Sequence, residues 1–217
     1  MSREAAIEAV VEGLAGPGYA RVRGLFDEGL LRDLRFAAET ARVEGTLVEA
    51  SIGRGASRHR DDSLRGDSTR WIDPAHASTC ESAWLACMEE LRLALNRELA
   101  LGAFSVEGHY AMYPAGARYA RHSDRHAGSD ARVVSTVLYL NDDWGAHDGG
   151  ALRLYLDDDA VRGARGREPG QAVHGRHVDF APEGGVFVAF LADRFEHEVL
   201  PATRERWSIT AWMRRRG

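Results

Sequence analysis

Lysine is missing from this 217-residue chain, so all 28 of its basic side chains are arginine. No phosphate-loop lysine, Schiff-base lysine or lysine carboxylate anchor is therefore available. Cysteine is nearly missing as well. Cys80 and Cys87 lie seven positions apart in a stretch that reads as helix, where their Cα atoms are on the order of 10 Å apart, beyond disulfide reach. Structural zinc sites built on cysteine are excluded with them, and both read as reduced core thiols. No apolar run approaches the roughly 20 residues that a membrane span needs. The opening MSREAAIEAVVEGLAG carries Glu4, Glu8 and Glu12 and lacks a basic-then-apolar signal layout, so a cytoplasmic location without membrane partners is expected. A positive excess is lacking too. The net charge of −5 argues against nucleic acid as a partner, and Arg214-Arg215-Arg216 reads as a solvated tail. With 44% hydrophobic and 28% charged residues the chain is an ordinary globular one. Its length suits a single domain over 1–217.

Periodicity divides that domain into a mainly helical support, 1–103, and a strand-rich part, 104–217. Helical spacing predicts helices at 3–14, 27–42 and 78–99. The second carries Leu30, Leu31, Leu34 and Phe36 near one face, and the third presents Trp84, Leu85, Met88, Leu91 and Leu95. A strand is expected from Tyr19 to Phe26, and another at Trp71-Ile72. From Phe104 the period becomes two, with strands at 105–113, 118–124, 132–141, 150–156, 177–180, 185–191, 197–201 and 206–214. Eight strands after a helical start predict an α+β, mainly β fold: a double-stranded β-helix, or jelly roll, backed by helices. In the last strand Arg206, Ser208, Thr210 and Trp212 share one face. Trp207, Ile209, Ala211 and Met213 share the other, which should meet the helices. The polar, glycine-rich stretches 50–69 and 157–176 read as loops. The Arg65-Gly66-Asp67 triplet matches an adhesion motif, an accident in a cytoplasmic chain.

What the chain does carry is His122-Ser123-Asp124, then His197, then Arg206. Side-chain direction repeats every two residues on a strand, so His122 and Asp124 face the same way. His197 from a later strand completes a two-histidine, one-carboxylate face. That face leaves coordination positions open and suits non-heme Fe(II) working with O2. Arg206 is a permanent cation whose planar fork can grip a carboxylate. Triad plus anchor reads as an oxygenase that uses 2-oxoglutarate. Arg204 is the rival anchor, but it lies nearer the turn. His59, His109, His126, His147, His174 and His177 read as surface or loop residues.

The stretches YPAGARYARHSD, VLYLNDDWGAHDGGALRLY and FEHEVLPATRERWSITAW, with LRGDSTRWID upstream, resemble the prolyl hydroxylases of the hypoxia-inducible-factor type and their bacterial relatives. The likeness runs from about Phe104 onward. Collagen-type prolyl hydroxylases use a lysine anchor, so Arg206 sides with the hypoxia-factor type. The resemblance implies that His122, Asp124 and His197 bind iron and that Arg206 and Tyr139 hold the distal carboxylate of 2-oxoglutarate. It implies Thr210 as a further hydrogen-bonding group, Tyr113 beside the metal and Leu152 as a wall of the cosubstrate pocket. Trp212 and Arg132 would contact the peptide. Arg65 and Asp67 would belong to a mobile lid over it. The 157–176 insert is a departure, longer and more charged than the family pattern. The implied reaction yields succinate, CO2 and a hydroxylated prolyl residue, with ascorbate as a stimulant. A translation elongation factor is the implied protein substrate in bacterial relatives. Hydroxylation of a free amino acid or small metabolite is the alternative, and a non-catalytic iron or 2-oxoglutarate sensor is a third reading that the complete triad disfavours.

Overall fold

The computed structural model describes residues 1–50, 61, 64–124, 132–156 and 176–216. Most of the loop expected at 50–69 and of the insert expected at 157–176, with His59, His126 and His174, lies outside the described residues. The first half contains α1 (Arg3–Ala15), β1 (Tyr19–Val22), α2 (Glu28–Val43), β2 (Val48–Glu49), β3 (Ser68–Trp71) and α3 (Thr79–Leu99). The second contains β4 (Ser105–Tyr113), β5 (Tyr119–His122), β6 (Arg132–Tyr139), β7 (Leu152–Tyr155), β8 (His177–Phe180), β9 (Phe187–Leu191), β10 (His197–Val199) and β11 (Arg206–Arg214). Two antiparallel sheets result, one of order β1-β9-β6-β11-β4-β3-β2 and one of order β5-β10-β7-β8. This is the jelly roll, with helices on the outer face of the larger sheet.

Alternation along the strands builds two cores. On β11, Trp207, Ile209, Ala211 and Met213 pack with Leu34, Trp84, Met88 and Leu91 from the helices. On the other face of the same sheet, Tyr113, Val137, Tyr139, Val188 and Phe190 meet Leu152, Leu154, Phe180 and Val199 of the smaller sheet. The helices start where their caps dictate. Asp27 accepts from Leu30 N at 2.8 Å, and Ser78 and Glu81 form a reciprocal capping box on α3.

The first 103 residues are more than helical support, because β1 and β3 pair directly with β9 and β4 of the strand-rich part. The first strand stops at Val22, since Gly24 at φ +79° turns the chain out of extended geometry. The strand expected at Trp71-Ile72 lies earlier, over Ser68–Trp71, so Ser68 and Thr69 are sheet and not loop. Phe36 departs from the buried face of α2 and is 71% exposed. Two positions past Leu34 is a turn of roughly 200°, which carries it to the opposite side of the helix. Cys80 and Cys87 are free thiols. No helix among the described residues is long and apolar enough to cross a membrane.

Gly108 marks a tight contact between α3 and the larger sheet. A Cβ there would lie 2.7 Å from the Trp84 ring and 3.0 Å from Ala211 Cβ. Gly108→Ala overpacks this seam and is expected to cost about 1–3 kcal/mol, read as a lowered urea midpoint at unchanged slope. An unshifted midpoint would show that α3 can move away freely.

Candidate metal centre

β5 and β10 run antiparallel with His122 and His197 as direct Cα partners. Directly opposed residues present their side chains on one face of a sheet. Asp124, two residues after His122, returns to that face. The ligand atoms of His122, Asp124 and His197 accordingly lie within 4.8 Å of one another. His122 Nε2 is 3.9 Å from Asp124 Oδ1, and His197 Nε2 is 3.6 Å from Asp124 Oδ2. No other such group of three occurs among the described residues.

The surroundings orient these ligands for a cation. His122 Nδ1 lies 2.8 Å from the Ala120 carbonyl, which keeps the proton on that nitrogen and the Nε2 lone pair inward. The Tyr119 ring stacks on His122 at 3.7 Å, and Phe190 meets His197 edge-on. Ser135 Oγ donates to Asp124 Oδ2 at 2.6 Å. Burial first, and His197 second, push His122 below its ordinary range and hold it neutral. Burial pushes Asp124 up, but the two imidazoles and Ser135 together hold it well below the usual carboxylate range. A neutral His122 beside an ionised Asp124 is what ligation requires, so the donor set fits a divalent metal.

The triad opens into a cavity of about 640 Å³ that Arg206, Tyr113, Thr210, Trp212, Arg132, Arg65 and Leu152 also line. Arg206 is 2% exposed. Its Nε donates to the Gly150 carbonyl at 2.9 Å, and its guanidinium lies 5.1 and 5.0 Å from the rings of Tyr113 and Tyr139. Gly150, at φ +70°, lets this contact form, because a Cβ there would come within 3.3 Å of Arg206 Cδ. No carboxylate pairs with Arg206 among the described residues. The Tyr139 and Ser208 hydroxyls, both buried, also lack a hydrogen-bond partner there. A buried cation without a counter-ion is costly, and the chemistry that relieves it is a ligand carboxylate. Tyr139 lies fully buried under Arg206 and does not line the cavity. Arg204 is far more exposed, 3.7 Å from Asp148.

Trp212 and the half-exposed Trp71 border the mouth, their rings 6.0 Å apart. The Arg132 charge is engaged, since the guanidinium stacks 3.6 Å over Trp212 and donates to Glu107. The described end of the expected lid is tied down. Arg65 bridges Tyr119, Gly66 N donates to Arg118 O, and Ala120 N donates to Leu64 O. Arg65 holds Asp67 bidentately at 2.7 and 3.0 Å, and Asp67 is buried. An adhesion tripeptide needs a displayed aspartate, so this one has its carboxylate spent on its own arginine.

His109 corrects an expectation. It is 3% exposed, lines the cavity, and sits 5.0 and 5.4 Å from the rings of Trp71 and Trp212. Its place on β4 two and four residues before Ala111 and Tyr113 was the available signal. His147 and His177 are exposed as expected. Ser135 and Glu107 were not anticipated, and only cross-strand register brings them to the site.

Residues 108–214 match the family described as the 2OG-Fe(II) oxygenase superfamily. Human Egl nine homolog 1 is 32% identical over 171 residues, which cover 74% of this chain and 36% of that protein. This chain spans less than half the length of the human, rat and mouse Egl nine homologs 1. Mouse prolyl hydroxylase EGLN3 is 30% identical over 199 residues, covering 88% of this chain and 70% of that protein. The crystal structure of a Pseudomonas putida prolyl-4-hydroxylase is similar with a TM-score of 0.80 and 40% identity, covering 96% of this chain and 99% of that one.

Burial pushes His109 down to about 4, against about 6.5 in an unfolded chain. The unfolded state therefore binds the extra proton first, and stability falls as pH drops from about 6.5 to about 4, by up to about 3 kcal/mol. Urea unfolding of metal-free protein at pH 7 and pH 5 checks this. His109→Gln should lose clearly less stability over that interval than the parent, and equal losses would contradict a buried neutral imidazole.

Proposed function

This chain belongs to the prolyl hydroxylases of the 2OG-Fe(II) oxygenase superfamily, and on that premise we propose that it hydroxylates a prolyl residue of a protein substrate. The observation that carries the reading is one cavity holding two complementary demands. At one side stand two imidazoles and a carboxylate, and at the other a buried arginine without a counter-ion. A 2-oxo dicarboxylate answers both.

In this reading His122, Asp124 and His197 hold Fe(II), and Arg206 takes the distal carboxylate of 2-oxoglutarate. When bound, iron and cosubstrate supply O2-dependent oxidative decarboxylation to succinate and CO2 with transfer of an oxygen atom to the substrate. The side chains supply placement. Arg206, buried and stacked between two tyrosines, is oriented before the ligand arrives, so little side-chain freedom is lost on binding. Its pair with a carboxylate would be desolvated and strong. By the family resemblance Tyr139 would donate its hydroxyl to the same carboxylate from beneath Arg206, Thr210 would add a hydrogen bond, Tyr113 would stand beside the metal, and Leu152 would close the wall against water. The half-exposed Trp71 ring at the mouth offers a prolyl ring a flat apolar surface with Trp212 behind it, and Arg65, paired with Asp67, lines the same cavity. Among proteins, a translation elongation factor is the substrate class proposed, in a cytoplasmic setting that suits two free thiols.

The test is mass spectrometry of a cell lysate incubated with the protein, Fe(II) and 2-oxoglutarate. One-oxygen mass increases on proline are expected, and they should vanish with His197→Ala. Oxygen incorporation confined to free amino acids or metabolites would replace the protein-substrate reading. The cosubstrate assignment has its own check in the 2-oxoglutarate KM. Arg206→Ala removes one partner of a buried charge pair, a loss of roughly 3–5 kcal/mol, and should raise the KM by two orders of magnitude or more. Arg204→Ala should leave it nearly unchanged, and the reverse order would make Arg204 the anchor.

A further inference from the structure

Arg132 reaches the cavity only because the sheet is irregular. On β6 the inward side chains are Ser135, Val137 and Tyr139, so regular alternation would turn Val133 inward and Arg132 toward the helices. The pairing of β6 with β11 shifts register between Met213 and Arg214, so that Arg214 stands opposite Arg132. Val133 goes into the helix-side core and Arg132 lines the cavity. A bulge beside a functional site that re-aims one side chain is a feature the fold keeps at the cost of ladder regularity.

The re-aimed guanidinium is then held on three sides. Ser135, Trp212 and Glu107 are cross-strand partners in one row over β6, β11 and β4. Arg132 lies along that row. It stacks on Trp212 at 3.6 Å, donates to Glu107 Oε1 at 3.1 and 3.3 Å, and brings Nη1 to 3.8 Å from Asp124 Oδ1. Arg214 holds the second oxygen of Glu107 at 2.9 Å. Asp124, Arg132 and Glu107 therefore alternate in sign, with the first an iron ligand in the reading above, on which this inference rests. The side chains are 8%, 17% and 27% exposed, so solvent screens them only in part.

We propose that Arg132 and Glu107 form a paired charge control on Asp124, in which Arg132 weakens the carboxylate's hold on a divalent cation and Glu107 limits that weakening. Arg132 is a positioning residue in this scheme, acting through Asp124. A cation beside a ligand carboxylate competes with the metal for the same negative charge, and a carboxylate behind that cation draws the competition off. Ser135 keeps the carboxylate oriented through its other oxygen, so removal of the Arg132 charge changes the field at Asp124 without freeing its rotamer.

The signs make the experiment decisive. Metal-free full-length chain is titrated with Mn(II) alone at low ionic strength, and the free aqua ion is counted by electron paramagnetic resonance. Arg132→Met keeps the apolar stem over Trp212 and removes the charge, and it should tighten Mn(II) binding about tenfold, the order expected of one nearby unit charge. Glu107→Gln should loosen it several-fold, because the Arg132 charge is then uncompensated. The double variant should return close to the parent. A merely structural role would loosen binding in all three, and that result, or no shift in either single variant, overturns the proposal. Failure of the parent chain to bind Mn(II) at all would overturn the metal centre itself, and this inference with it.

Discussion

The antiparallel pairing of β5 with β10 is the contact on which the site depends. It sets His122 opposite His197, and the two-residue step to Asp124 then leaves no freedom about where the third ligand falls. Both strands are short, four and three residues, and could not hold register alone. They hold it because β10 also pairs with β7, and because Leu152, Leu154 and Val199 are packed against the larger sheet. A slip of one residue would turn His197 away from the cavity and bring Glu198 in. Ligand geometry here is a property of the sandwich, and the triad is only its visible part.

Arg206 extends the same logic to charge. The jelly roll buries a guanidinium in its center, gives it one carbonyl and two aromatic faces, and gives it no anion of its own among the described residues. Across the cavity sits a cluster whose carboxylate, Asp124, is held ionised. The two ends attract opposite partners, and a small molecule with a carboxylate at one end and chelating oxygens at the other bridges them. A lysine ammonium, a point charge on a flexible stem, would lack the planar group that Arg206 sets beside the rings of Tyr113 and Tyr139.

Much of this was legible in the sequence where one periodicity ruled locally. The segments 105–113, 177–180 and 206–214 are strands with the expected bounds, and the two faces of β11 sort to helices and cavity as the alternation predicts. The step from His122 to Asp124 was legible from strand alternation, and the structure brings His197 to the same face and Arg206 to the same cavity. What the sequence could not display depends on neighbours far along the chain. His109 is one of nine histidines until β4 is seen to line the cavity. Ser135 is an ordinary strand serine until Asp124 arrives, and the inward turn of Arg132 follows from a bulge that no periodicity encodes. Segment 64–69 read as loop from its polarity, yet its backbone bonds to residues 118–120 and to β4, and backbone pairing is indifferent to side-chain polarity.

The position of β11 has a consequence for how the protein is born. This strand sits in the middle of the larger sheet, between β6 and β4, although among the described strands it is synthesised last. A ribosome therefore delivers the flanking strands, with His122, Asp124 and His197, before the element that closes the sheet between them. Until residues 206–214 emerge, β4 and β6 each expose an unpaired edge, and the nascent chain has reason to wait for its final strand or a chaperone. Arg206 arrives on this strand, so a chain that already carries His122, Asp124 and His197 still lacks the buried cation of the cavity until residues 206–214 are in place.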